Sequence, residues 1–354
     1  MSRLTSKKLY SGIDLFKIIA SILVVLLHAI ETTDFIAKEV QFVFTRFAVP
    51  FFFMVSGFFF FKGLERAEDS KAYFWKYEKN IIKLYVVWAL IINLPFSIIS
   101  YLQSYSDDNP IKIVLVLFRR LFIAGSGPYW YLLAILFAAP ILYLLHIKKK
   151  TKLLGVLVVV CLLLGIAYSC FRGVLYEFNV INYVFKAFDF VYSWEFNFIM
   201  YGIPFMGIGY FIAKKNLSLS IQLSVIIFIL SSFLRVLEYH LPKMFPSEFW
   251  DNNTISLAFI FQAFAFFMLS KEIVIPFSEH ISLTIRQLSS FIYFAHEIFM
   301  YHVLDRILVA NAEYLIYEPW FIVPKMILSL IPCVLLFIII KKINNKHLNV
   351  LING

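Results

Sequence analysis

The chain has 354 residues, 61% of them hydrophobic and only 15% charged, with a net charge of +10 and a mean hydropathy of +0.82. A soluble domain carries nearer a quarter charged residues, so a water-soluble globular enzyme is excluded and a polytopic helical membrane protein is expected. The excess Lys and Arg is scattered through short loops, which in a membrane protein encodes orientation, so no nucleic-acid partner is expected.

Ten spans are predicted, at roughly 12–32, 41–61, 81–102, 128–146, 153–172, 195–213, 219–240, 254–271, 286–307 and 320–341. With the N-terminus in the cytoplasm, nineteen Lys and Arg fall in inner segments against eight in outer loops. The positive-inside rule then puts both ends in the cytoplasm, which requires an even number of spans. The whole of 1–354 reads as one integral membrane domain in contact with lipid, with neither an internal repeat nor a low-complexity linker. The first apolar run has no small-x-small cleavage site, so no signal peptide is expected. The short tail after the last predicted span leaves no room for a soluble catalytic domain within the chain.

The first span holds Lys17 and His28 in one apolar run. Eleven residues at about 100° each is about three turns plus 20°, so both side chains leave one helix face, about 16 Å apart in depth. Asp14 and Ser21 share that face, and Asp14, three residues before Lys17, is its expected partner. Two readings stand. Lys17 and His28 are interfacial residues snorkelling from the two helix ends, or they line a polar cavity in which a neutral imidazole acts as general base.

The second span reads Thr45-Arg46-Phe47-Ala48-Val49-Pro50-Phe51-Phe52-Phe53-Met54-Val55-Ser56-Gly57. Pro50 and Gly57 predict a helix that bends and packs closely. Arg46 is either a clamp for a carboxylate or phosphate or an interfacial arginine facing lipid or Glu39. Ser56 has no base near it in sequence. Ahead of the third span, Lys76, Lys79 and Lys83 form a basic stripe at helical spacing, suited to anchoring or to a phosphate-rich donor.

Residues 110–124 follow Asp107-Asp108-Asn109-Pro110 and predict an interfacial or re-entrant amphipathic helix. Residues 173–194 read as an outer loop with short helical pieces. Cys161, Cys170 and Cys333 all lie in apolar segments without metal spacing. The ninth span carries Ser289, Tyr293 and His296 at i, i+4 and i+7, with Glu297 and Tyr301 on the neighbouring face. This cluster is a structural hydrogen-bond network or a substrate site. His296 and His302 point to different faces, and no HExxH, P-loop or GxSxG motif occurs, so no metal is expected.

Taken together these segments resemble the acyltransferase 3 family of integral membrane proteins. The resemblance rests on Asp14, Lys17 and His28 in the first span, Pro50 to Gly57 in the second, and Gly127-Pro128-Tyr129-Trp130-Tyr131-Leu132 at a helix start. Tyr201 to Tyr210 and Ser289 to His296 continue it in order. It implies an all-α bundle of about ten transmembrane helices that moves an acyl group, often acetyl, from cytoplasmic acyl-CoA to a cell-envelope or small-molecule acceptor. By residue, it implies His28 as the catalytic histidine, Lys17 ordering the donor or tunnel with Asp14 beside it, and Lys79 and Lys83 meeting the CoA phosphates. Trp130, Tyr293 and His296 would line the site. Lys17 stands where arginine is commoner, and lysine makes no bidentate contact.

A narrower resemblance, through Tyr10-Ser11-Gly12-Ile13-Asp14-Leu15-Phe16-Lys17 and Thr45 to Phe58, is to the membrane half of vancomycin-resistance-type serine racemases. In those proteins a cytoplasmic PLP-dependent domain follows the last span, and the membrane half is a route for L-serine. This implies a bacterial plasma-membrane protein connected with antibiotic resistance, with a C-terminal soluble domain in the full-length form. Arg46 would then bind the substrate carboxylate, and His28 with Glu297 or His296 the amine. Fold analogy alone does not choose between the two activities.

Overall fold

Hydrocarbon offers the backbone no hydrogen-bond partner, so each apolar run must satisfy its own amides by coiling into a helix. The computed structural model describes residues 10–95, 98, 109–125, 127–175, 177–192, 197–240, 255–346 and 348–352. Among them no strand occurs, and the helices of ten residues or more number twelve. These are α1 (Ser11–Ala29), α2 (Ala48–Arg66), α3 (Ser70–Tyr85), α4 (Pro110–Arg119), α5 (Trp130–Ile147) and α6 (Thr151–Cys170). They continue with α7 (Asn179–Tyr192), α8 (Ile203–Lys215), α9 (Ile221–His240), α10 (Leu257–Glu272), α11 (Glu279–Glu297) and α12 (Ile322–Ile343).

Six stretches are long and apolar enough to cross a membrane: Ser11–Ala29, Phe35–Arg66, Gly127–Ile147, Thr151–Cys170, Ile221–His240 and Pro319–Ile343. The protein is therefore an all-α polytopic membrane protein. The other four expected spans are also helical but shorter or more polar. α8 has 13 residues and α10 has 16. α11 carries His296 and Glu297 in its last turn and runs on through a π-helical turn, Ile298–Leu304. The third runs from α3 into a π-helical stretch, Val86–Asn93, and most of its remainder lies outside the described residues.

Neighbouring helices alternate in direction. α9 and α10 are antiparallel, with Arg235 meeting Ser256 and Phe228 meeting Phe266. α11 and α12 are antiparallel through Thr284–Lys341, Phe291–Phe337 and Asp305–Lys325. α1 and α11 are parallel, since Asp14 meets Arg286, Ser21 meets Ser289 and His28 meets His296. The first and ninth of a strictly alternating series must run the same way. Polar bridges gather at one end of the bundle, Lys62 to Asn216 and Lys214 to Thr151 as well as Lys341 to Thr284. α1 begins and α12 finishes there, and we refer to it as the basic end.

α2 and α8 make the tightest crossing. A Cβ on Gly57 would sit 2.2 Å from the Met206 carbonyl oxygen, and one on Gly209 2.3 Å from that of Met54. Only hydrogen fits at either contact, which lets the two backbones touch. The crossing holds the Phe-rich middle of α2 rigid beside α1. α4 is amphipathic and carries no buried residue. It starts on an Asn109 cap with proline in its first turn, and exposes Ile111, Val114, Leu115 and Phe118. That is the pattern of a helix lying in an interface. α7 covers the same end, where Asp189 takes Tyr168 and Arg172.

Candidate functional site

The inward face of α1 meets α11 along its whole length. Near the basic end Asp14, 1% exposed, accepts from Arg286 Nε at 3.0 Å and Nη2 at 3.1 Å. This corrects the expected Asp14–Lys17 pairing. The guanidinium fork satisfies both carboxylate oxygens across the interface, and Lys17 is left to face a cavity. One turn on, the Ser21 and Ser289 hydroxyls lie 2.8 Å apart, and each donates to the Lys17 carbonyl at 2.9 Å or to its partner.

The cavity holds about 220 Å³, and Lys17, Ser56, Tyr73, Tyr77, Tyr131 and Tyr293 are among the residues that line it. The Lys17 ammonium has no hydrogen-bond or ion-pair partner among the described residues, in a setting where an isolated charge is costly. Ser56 Oγ lies 2.8 Å from Tyr131 Oη, which also reaches the Phe52 carbonyl at 3.2 Å. The cavity shares Leu84 with a cleft of about 430 Å³ at the basic end, lined by Asn80, Lys83, Asn344, Lys346 and Asn349. Lys83 thus faces a polar cleft that abuts the chamber of Lys17. Lys79 is exposed and lines neither.

Towards the far end, His28 is half-buried, with Nδ1 3.2 Å from Tyr301 Oη. The same hydroxyl donates to the His28 carbonyl at 3.2 Å. A phenol has one proton to give. Both bonds are satisfied when His28 carries its hydrogen on Nδ1 and donates it to Tyr301, which leaves Nε2 as a lone pair with no partner among the described residues. His296, fully buried, is fixed in the same sense. Its Nδ1 lies 3.1 Å from the Ile292 carbonyl, and its buried Nε2 has no partner among the described residues. The two rings stand 5.2 Å apart. Two basic nitrogens are therefore offered side by side in apolar surroundings.

Glu297 adds a carboxylate whose Oε2 is buried and unpartnered among the described residues, pressed against Gly127 (φ 48°), where a Cβ would lie 1.8 Å away. Arg46 lays its guanidinium 4.2 Å over the Phe42 ring. Glu39, one expected partner of Arg46, lies against His240. Trp130 packs on Phe53 and Tyr201 at 5.7 and 5.3 Å, while its neighbour Tyr131 takes the place on the cavity wall.

The structure thus joins Lys17, Ser56 and Tyr293 at one cavity and His28 with His296 beyond it, and sets Lys79 and Trp130 outside both groups. Several polar residues of this region escaped the sequence reading. Lys325 and Arg235 are each fully buried. A lone charge inside an apolar run, the signal that singled out Lys17, marked both. Tyr131 was present in the quoted Gly127 to Leu132 motif. Arg286 and Lys346 looked like ordinary basic-end residues, and only the packing gives Arg286 its partner Asp14 and sets Lys346 on the wall of the Lys83 cleft.

The sequence places this bundle in a class: the chain belongs to the acyltransferase 3 family, whose acyltransferase domain matches residues 10–338. Two amino-acid racemases of Enterococcus faecalis are each 25% identical to it. One aligns over 217 residues, 60% of this chain and 29% of its own length, and the other over 232 residues, 62% and 32%. A serine/alanine racemase of Enterococcus gallinarum is 26% identical over 227 residues, 62% of this chain and 31% of that protein. The chain spans about a third of the length of these curated relatives. No solved structure matches it.

Proposed function

We propose that the protein is a bacterial plasma-membrane acyltransferase that takes an acyl group, in the simplest case acetyl, from cytoplasmic acyl-CoA and passes it to a hydroxyl or amine acceptor reaching the groove from the far side. The observation that supports this is that the Lys83 cleft and the Lys17 cavity share Leu84, while His28, on the helix that carries Lys17, stands beside His296. The basic end is cytoplasmic in this reading, by the positive-inside rule. Lys83, with Lys79 nearby, attracts the donor's phosphates, and Lys17 faces the thioester end. His28 Nε2 removes the acceptor's proton as the acceptor oxygen or nitrogen attacks the thioester carbonyl. The carbon–sulfur bond breaks, and the imidazolium returns the proton to the departing thiolate.

His28→Ala should abolish transfer of labelled acetyl from acetyl-CoA while leaving expression, detergent monodispersity and acetyl-CoA binding intact. Lys83→Ala should weaken acetyl-CoA binding measured by calorimetry. Wild-type turnover by the His28 variant would remove the imidazole from the mechanism.

A second reading is favoured by the racemase names of the relatives. There the groove carries L-serine across the membrane, with Arg46 taking the carboxylate and Glu297 the amine. Labelled serine uptake into proteoliposomes tests it: uptake above empty vesicles that is lost in Arg46→Ala, with no acetyl-CoA binding, would replace the first reading.

A further inference from the structure

At the far end of the bundle, beyond His28, one buried cation in α12 ties together two other chain segments. Lys325, in the first turn of α12, is fully buried, with Nζ 3.0 Å from Glu31 Oε1 and 2.8 and 3.0 Å from the two oxygens of Asp305. Glu31 stands three residues beyond His28, where α1 has just finished, and Asp305 stands four residues beyond Tyr301, where the π-helical turn closes. The Lys325 ammonium also lies 5.8 Å from the centroid of the Tyr301 ring. One ammonium therefore grips the two chain segments that carry the two ends of the His28–Tyr301 hydrogen bond.

The local backbone makes such a grip useful. A π turn inserts an extra residue and rotates everything after it, and such turns gather at functional sites. Here the π turn aims Tyr301 and Asp305 at α1, and Lys325 holds Asp305 from α12. α1 frays into extended backbone at Ile30, so Glu31 is likewise held from outside its own helix. Buried ion pairs are poor sources of net stability but suit the task of fixing one register among several.

We propose that Lys325 is a positioning residue for His28, acting through Glu31 and Asp305 to hold Tyr301 against Nδ1 and so leave Nε2 free of that hydrogen bond, with the ring beside His296. The proposal rests on His28 being the working base in the reading above, so its test includes a readout that needs no turnover. The imidazole nitrogen resonances of His28 are recorded in detergent-solubilised protein and identified by their absence from His28→Gln. In the wild type the protonated, hydrogen-bonded nitrogen is Nδ1. Tyr301→Phe and Lys325→Met should both shift or broaden that signal in the same direction.

In acetyl-transfer assays Lys325→Met should lower kcat at least tenfold with the acetyl-CoA KM unchanged. Lys325→Met combined with Tyr301→Phe should be no slower than Tyr301→Phe alone, since both disable one hydrogen bond. Lys325→Arg should restore most of the rate. If Lys325→Met does not fold, the set Glu31→Gln, Asp305→Asn, Lys325→Met removes all three charges at constant shape and serves in its place. A His28 signal unchanged from wild type in a variant lacking Lys325, while Tyr301→Phe moves it, would overturn the proposal. If the wild type shows no acyl transfer but the resonance shifts appear, the positioning role stands and the acyltransferase reading fails.

Discussion

At the scale of single residues the protein separates charges that are paired from charges that are not. Asp14 and Lys325 are buried and fully engaged, whereas Lys17 faces its cavity without a partner among the described residues. Unpaired charge in hydrocarbon is costly, and in the proposed reading an anionic or strongly polar substrate group would complete the site at Lys17. Glu78 is a related case on α3, ahead of the third apolar run. It is 4% exposed, its Oε1 lacks a partner among the described residues, and burial pushes its carboxyl up to about 7. The unfolded chain releases that proton near pH 4.3 or so, so between about 4.3 and 7 the folded state holds more protons and stability must fall as pH rises. Glu78→Gln should therefore match the wild type in thermal unfolding at pH 5 and exceed it at pH 8. Equal melting at both values would show that the carboxyl titrates normally.

At the scale of helices, function depends on how closely backbones approach. The α2–α8 crossing leaves no room for a side chain at Gly57, where a Cβ would meet backbone atoms of Met206 at 2.2 to 2.8 Å. Backbone cannot swing aside as a side-chain tip does, so Gly57→Ala should force the helices apart. Overpacking of this kind costs about 1–3 kcal/mol, read as a lower melting temperature in detergent. It should also reduce turnover, because Ser56 and Phe52, neighbours of Gly57 on α2, line the Lys17 cavity. An unchanged melting temperature would mean that the crossing is looser than described. The π-helical turns belong to this scale too. Val86–Asn93 ends with Asn93 against His302, and Ile298–Leu304 turns Tyr301 onto His28.

At the scale of the whole molecule, alternating helix directions bring Tyr10 and Lys346 to the same end of the bundle, together with Lys62, Lys149, Lys214 and Lys341. In the proposed orientation that end faces the cytoplasm. With the three native cysteines changed to alanine, Lys149→Cys and Lys346→Cys should react with an impermeant maleimide only in inside-out vesicles. Lys112→Cys and Glu313→Cys should react only in right-side-out cells. Labelling of Lys346→Cys and Lys112→Cys from one side would break the alternation.

Read alone, the residues determined the solvent and the architecture. Apolar runs of span length leave helices as the only way to satisfy the backbone in lipid, and the placement of Lys and Arg predicted both ends on one side. They also singled out one polar face, because Asp14, Lys17, Ser21 and His28 share a period that a single helix dictates. What they could not supply is which charges meet, since pairing crosses from α1 to residues some 270 positions later. Only the tertiary packing assigned Arg286 to Asp14, stood His296 beside His28, and placed Lys325 between Glu31 and Asp305. Periodicity fixes the direction of a side chain on its own helix, whereas the partner depends on the rotation and depth of a second helix, which close packing at Gly57, Gly209 and the π turns sets.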